Sequence, residues 1–208
     1  KYKKILNVDV ELMIIEAPFV AKNAKPGNFL IVRVDETGER IPLTIVENDD
    51  TDVTIVYQKL GYSTTLLSQK NVGDELFDVV GPLGKPSHIR DVSNVLGIAG
   101  GVGAAPLFPQ LKEYARQGVE VDLVIGGRTA EHLILIDKYK KFCKNIYYAT
   151  DDGSLGTKGF VTQVAEELYQ TKKYDLSIAI GPLIMMKNCV ALNKKYNINK
   201  FIVLINGY

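Results

Sequence analysis

The sequence predicts two domains in series: an antiparallel β-barrel over residues 1–90, then an α/β domain over 91–208 with a parallel sheet covered by helices. Three observations predict it. The first half carries short β-type runs at 29–34, 53–57 and 75–80, with turn residues between them. The second half alternates strand-length apolar runs with stretches of helical period. The strand-like runs of that half end in glycine or in an Asp-Gly turn.

In chain order, the turns of the first half are Pro26-Gly27, Glu36-Thr37-Gly38, Asn48-Asp49-Asp50 and Gly81-Pro82-Leu83-Gly84. Short strands at such spacing form antiparallel barrels or sandwiches. A short helix starts near Ser63, where Ser63-Thr64-Thr65 offers capping hydroxyls ahead of Leu66-Leu67. The second half reads as strand 95–99, helix 106–116 stopping at Gly118, strand 121–125 ending at Gly126-Gly127, and helix 133–142. Strand 146–149, helix 160–168, strand 176–180, helix 184–194 and strand 201–205 follow. Such alternation makes a parallel sheet with helices on both faces, and ligands bind beyond the carboxyl ends of its strands.

Composition narrows the function. The chain has 208 residues, 46% of them hydrophobic, which is ample for a buried core. Lys plus Arg number 25 against 24 Asp plus Glu, so the basic excess of a nucleic-acid binder is missing. No apolar run approaches the ~20 residues of a membrane span, and no signal-like apolar core follows the basic start. The chain begins without Met, so a trimmed protein is expected. Cys143 and Cys189 lie far apart without CxxC spacing. That argues against a disulfide framework or a four-thiolate metal site and for two reduced thiols in the cytoplasm. His88 and His132 stand alone, so no metal site is expected.

The strongest chemical signal is the loop Gly100-Gly101-Val102-Gly103 in the run 97–106. It follows a strand and opens a helix, where bare backbone and helix N–H groups can take a pyrophosphate. The spacing is not GxGxxG, and a tight turn without ligand explains the loop alone equally well. Three more strand ends add to it. Arg128, after Gly126-Gly127, has the forked geometry for ribose or phosphate, or is a solvated surface Arg. Asp151 and Asp152, ahead of Gly153-Ser154, are site candidates or an ordinary Asx turn. Gly181 and Pro182 lead to Met185, a site candidate or core filler. Four such ends at one sheet edge point to a dinucleotide on a Rossmann-like domain. In the first half, Arg40, Pro42, Leu43 and Thr44 open a strand, and Gly61, Ser63 and Thr64 open a helix. The first group has an Arg for a phosphate and a Thr for a ring nitrogen, and the second is a phosphate-binding helix start. A plain strand and a plain cap explain both locally.

These segments, with Pro26-Gly27-Asn28-Phe29 and Gly81-Pro82-Leu83-Gly84, occur in this order in the ferredoxin–NADP reductase superfamily, which the whole chain resembles. The run 38–45 and the run 80–87 most resemble the small (alpha) subunits of NADH-dependent ferredoxin:NADP oxidoreductases, enzymes that also go by the name sulfide dehydrogenase. The electron-transfer subunits of dihydroorotate dehydrogenases come next. The resemblance implies FAD on the first domain, with Pro42, Leu43 and Thr44 along the isoalloxazine and Ser63 and Thr64 near the pyrophosphate. It implies NAD(H) or NADP(H) on the second, held by the 100–103 loop, Arg128 and Gly181. Three departures stand out: Ile41 and Leu43 replace the superfamily's Arg and flavin-stacking Tyr, and Ile180 replaces a Cys before Gly-Pro. Relatives carry a Cys-rich segment with a [2Fe-2S] cluster; this chain stops at Asn206-Gly207-Tyr208, so a cluster is expected only in a longer chain or a partner.

The expected function is hydride transfer between NAD(P)H and FAD in an interdomain cleft, with Thr44 beside flavin N5 and no side-chain acid or base required. Electrons then pass to an iron–sulfur partner. A larger flavoprotein or iron–sulfur subunit in a hetero-oligomer, and ferredoxin, are the expected partners. The alternatives are an electron-transfer subunit for dihydroorotate oxidation and a non-catalytic nucleotide-binding or assembly module.

Overall fold

The computed structural model describes residues 1–198 and 200–204. The chain divides into two compact units, Lys1–His88 and a second that begins at Ile89.

The first unit contains β1 (Tyr2–Ile5), β2 (Val10–Glu16), α1 (Pro18–Asn23), β3 (Phe29–Arg33), β4 (Arg40–Asn48), β5 (Asp52–Gln58), α2 (Tyr62–Gln69) and β6 (Asp78–Leu83). The strands make one antiparallel six-stranded sheet in the order β1-β2-β5-β4-β3-β6, barrel-like but not closed. Its core takes alternate residues of β2, β3, β4 and β5, as a pleat requires. Val53, Ile55 and Tyr57 of β5 meet Leu30 and Val32 of β3, Ile45 of β4 and Leu67 of α2. Burying each such side chain contributes about 1.5–3 kcal/mol. The strand expected at 75–80 lies three residues later. Gly81-Pro82-Leu83, read as a turn, continues β6 along an edge of the sheet, where a proline's missing N–H breaks no ladder.

The second unit contains β7 (Asn94–Gly100), α3 (Ala104–Arg116), β8 (Glu120–Gly127), α4 (Ile136–Tyr139), β9 (Asn145–Thr150), β10 (Thr157–Lys158), α5 (Val161–Thr171), β11 (Leu176–Ile180), α6 (Leu183–Lys195) and β12 (Phe201–Leu204). The sheet is parallel throughout, in the order β10-β9-β8-β7-β11-β12. Leu96 and Ile98 of β7 face α5 and α6, in a core with Val164, Ala165 and Cys189. Gly97, between them, faces the other way onto Leu107 and Leu111 of α3. Helices therefore cover both faces. No helix among the described residues is long and apolar enough to cross a membrane.

Two expectations change here. The helix expected at 133–142 shrinks to α4, because Leu133, Ile134 and Leu135 are all buried and three successive residues cannot share one helix stripe. Leu135 itself has a left-handed backbone, φ 61°. The helix expected from Pro106 begins at Ala104; a proline in the first turn costs nothing there, since that N–H would lack an intrahelical acceptor. Ile205 of the last expected strand, and Asn206, Gly207 and Tyr208, lie outside the described residues.

Candidate functional site

Parallel pairing brings the expected strand ends to one edge of the second unit. Gly100 pairs with Gly126, Gly127 with Thr150, and Ala99 with Ile180. Arg128, Asp151 and Gly181 each follow one of those residues directly. Gly101, Val102 and Gly103 form a single 3-10 turn that leads into α3. A β-carbon on Gly103 would stand 2.3 Å from the carbonyl oxygen of Ile180, so only glycine lets this turn sit against the end of β11. Gly101 has φ 56°, and beyond its chain neighbours no atom lies within 4 Å of where its β-carbon would stand. The turn is therefore an open cradle of bare backbone at the start of a 13-residue helix, which suits an anionic dinucleotide. Met185 closes one side: its sulfur stands 2.6 Å from the β-carbon position of Gly100 and 2.9 Å from that of Gly181. It also packs on the core beneath, so it acts as filler as well as wall.

The loops after β8 and β9 are tied to each other. Asp151 donates its N–H to the Gly127 carbonyl at 3.2 Å, and Asp152 donates to the Arg128 carbonyl at 3.3 Å. The Asp152 carboxylate accepts the Ser154 hydroxyl at 2.7 Å and its N–H at 2.9 Å. Those bonds, the hydroxyl's first, hold the Asp152 carboxyl below its ordinary value. Ser154 in turn accepts the Ala130 N–H at 2.8 Å. Asp152 thus builds an Asx turn that fixes the walls of the edge, and Ser154, which the sequence does not single out, is the bridge. Its only signal is its place after Asp-Asp-Gly.

In the first unit the structure brings together the two segments expected near a flavin. Ser63, at 7% exposure, donates its hydroxyl to Glu39 Oε2 at 2.7 Å. That bond joins the start of α2 to the residue just before β4, where Arg40 is exposed. Thr64 Oγ1 accepts the N–H groups of Leu60 and Gly61 at 3.1 and 3.2 Å. Gly61, the N-cap, has no side chain to cap the helix N–H groups beyond it, and beyond its chain neighbours no atom lies within 4 Å of its β-carbon position. The start of α2 is thus approachable by a phosphate. The pleat splits the other group: Arg40, Pro42 and Thr44 alternate with Ile41 and Leu43, which pack against the core. Leu43 stays half-buried on that packed side. Asn28, which the sequence offers only as part of a turn motif, knots the corner beside Thr44. Its side chain donates to the carbonyls of Leu83 and Gly84 at 3.0 and 3.1 Å and accepts the Lys25 N–H at 2.9 Å.

The buried carboxylates among the described residues serve the scaffold. Glu11 accepts the Tyr57 hydroxyl at 2.8 Å, with Lys3 and Lys59 at 3.3 and 3.5 Å. Asp122, at the amino end of β8, takes Tyr174, Lys172 and Asn145 at 2.7, 2.8 and 2.9 Å. Burial pushes the thiols of Cys143 and Cys189 up to about 12, so both are neutral near pH 7. Among the described residues no three His, Cys, Asp or Glu side chains gather as a metal site.

No family model matches the chain. An uncharacterised protein of Clostridium beijerinckii is 46% identical over 207 residues, covering 94% of this chain and 70% of its own length. The dihydroorotate dehydrogenase B (NAD(+)) electron transfer subunit homolog of Thermotoga maritima is 41% identical, over 88% of this chain and 66% of its own length. The electron transfer subunit of a Geobacillus species is 35% identical, over 90% and 74%. Among solved structures, a chain from a study of the NADH-dependent reduced ferredoxin-NADP oxidoreductase superposes with a TM-score of 0.92 at 38% identity, over 100% of this chain and 75% of that one. The chain thus spans about two thirds to three quarters of the length of these relatives. With that agreement over both units, the chain belongs to the family of dihydroorotate dehydrogenase B electron transfer subunits and NADH-dependent ferredoxin-NADP oxidoreductase chains, flavin-linked electron-transfer proteins of the ferredoxin–NADP reductase type.

Proposed function

We propose that this chain is the FAD-carrying subunit of a larger oxidoreductase, which exchanges a hydride with NADH or NADPH and passes electrons on to an iron–sulfur partner. When bound, the flavin supplies the step from a two-electron hydride to single electrons. The chain's own residues bind and orient. The open start of α2 and Arg40 hold the pyrophosphate of FAD, Pro42 and Thr44 line the ring, and Thr44 offers its hydroxyl as a hydrogen-bond partner to it. Gly100 to Gly103 and the start of α3 take the nicotinamide dinucleotide, with Arg128 and the fixed 151–154 loop on one flank and Gly181, Pro182 and Met185 on the other. Because the buried carboxylates belong to the scaffold, binding and alignment, rather than acid–base chemistry, are the chain's contribution.

The observation that supports this reading most is the Gly101–Gly103 turn, an open backbone cradle at a helix start on an edge where four strand ends align. Two cysteines cannot furnish the four ligands of a [2Fe-2S] cluster, so the cluster belongs to a longer protein or to a partner subunit. The reduced thiols fit a cytoplasmic complex. Anaerobic stopped-flow with NADH and NADPH is the test: rapid bleaching of the flavin's visible absorbance is expected, and protein that stays colourless after incubation with FAD ends the proposal. The Thermotoga and Geobacillus relatives favour one specific setting, dihydroorotate oxidation, which co-purification with a dihydroorotate-oxidising subunit would reveal.

A further inference from the structure

We infer that Glu39 is a built-in competitor for the flavin's pyrophosphate: its carboxylate occupies the hydroxyl of Ser63 at the start of α2 and is displaced when FAD binds. The inference rests on the flavin reading above and deepens it. Ser63 is second in the helix, 93% buried as the complement of its 7% exposure, and already donates to Glu39 at 2.7 Å. Thr64, the next hydroxyl, is committed to the Leu60 and Gly61 N–H groups and donates back to the Gly61 carbonyl. Ser63 is therefore a side-chain donor of this turn that a phosphate can recruit only by taking it from Glu39. A hydroxyl has one hydrogen to give. A carboxylate and a phosphate oxygen are acceptors of the same kind, and both are favoured at the positive end of a helix. Both cannot take the same proton, and two anions side by side repel. Glu39 lies on the exposed connection just before β4, so its side chain has room to swing outward. Arg40, next to it, is exposed as well and is free to turn toward the arriving phosphate once the carboxylate leaves.

The arrangement sets affinity in a definite direction. Removing the charge of Glu39 while keeping its shape tightens any ligand that brings a pyrophosphate and leaves untouched one that does not. The test is flavin-stripped full-length protein, native and Glu39→Gln, titrated with FAD, ADP and riboflavin. Glutamine still accepts the Ser63 hydroxyl through its amide oxygen, so the corner keeps its fold; circular dichroism and the unfolding midpoint check that. The expected result is FAD and ADP binding about tenfold tighter in E39Q, because the pyrophosphate then displaces a neutral hydrogen bond in place of a charge-assisted one and meets no second anion, with riboflavin binding unchanged. Equal or weaker FAD binding by E39Q overturns the inference while leaving the flavin reading intact, and so does an equal gain for riboflavin. If the native protein and the variant both fail to take up FAD, the flavin reading falls and the inference with it.

Discussion

The two candidate binding regions are built on different principles. The edge of the second unit is made of backbone: strands in parallel register deliver Gly100, Gly126, Thr150 and Ile180 to one line, and the loops that follow start from there. The corner of the first unit is made of side chains from distant segments, with Glu39 reaching Ser63 across 24 positions and Asn28 reaching Gly84 across 56. Parallel strands linked by helices all run the same way, so their carboxyl ends must coincide. An antiparallel sheet has no such rule, and its pleat sends neighbours such as Pro42 and Leu43 to opposite faces. A backbone site tolerates changes of side chain but not added bulk; a side-chain site tolerates bulk at its rim but not the loss of a donor.

That contrast can be broken most sharply at Gly103. In Gly103→Ala the new methyl group meets the Ile180 carbonyl at 2.3 Å, a contact that backbone on both sides cannot relieve cheaply. A loss of about 3 kcal/mol in chemical denaturation is expected, the upper range of overpacking, with nucleotide affinity falling alongside. If the variant is as stable as the native protein, the edge is looser than a backbone site should be. For the first unit the matching change is Asn28→Ala, which removes three hydrogen bonds at a buried position. About 2 kcal/mol should be lost, since three hydrogen bonds of one buried side chain go together. FAD retention on gel filtration should drop with it.

Ser154→Ala sharpens the comparison from the other side. Its bonds lie on exposed loops, so global stability should move by no more than about 0.5 kcal/mol. Amide exchange at Ala130, whose N–H the hydroxyl accepts, should nonetheless accelerate, and NADH should bind more weakly. Unchanged exchange would mean that the two loops are held by their backbone bonds alone. The smallest effect is with pH. The Asp152 carboxyl lies below its ordinary 3.8 because the folded loop stabilises the charged form. Its contribution is therefore complete above the unfolded value and is lost as pH falls through the lower folded one. Exchange protection at the Ser154 amide should be flat near neutral pH and fade only in acid beneath the usual aspartate range. Fading near pH 6 would point to another group.

Much of this was legible in the sequence where local chemistry and fold agree. Strand β11 reads directly from its apolar run and the glycine after it, and α3 from its period and Gly118. Legibility ended where packing overrode pattern. Leu133 to Leu135 look helical yet are buried side by side, and Gly81-Pro82 looks like a turn yet extends a strand. Glu39 and Ser154 appeared only inside longer motifs and were not singled out, because a Glu in a polar connection and a Ser after Asp-Asp-Gly are common on any surface.

By itself the sequence determined the order of elements, the division into an antiparallel and a parallel half, and the residue types offered at each strand end. These follow from hydrophobic period and turn chemistry, which act over a few neighbours. Only the tertiary structure decided which hydroxyl already has an acceptor, which side of β4 faces out, and which glycine touches a carbonyl from another strand. Those are contacts between residues tens of positions apart, and they exist only once the chain has closed those loops on itself.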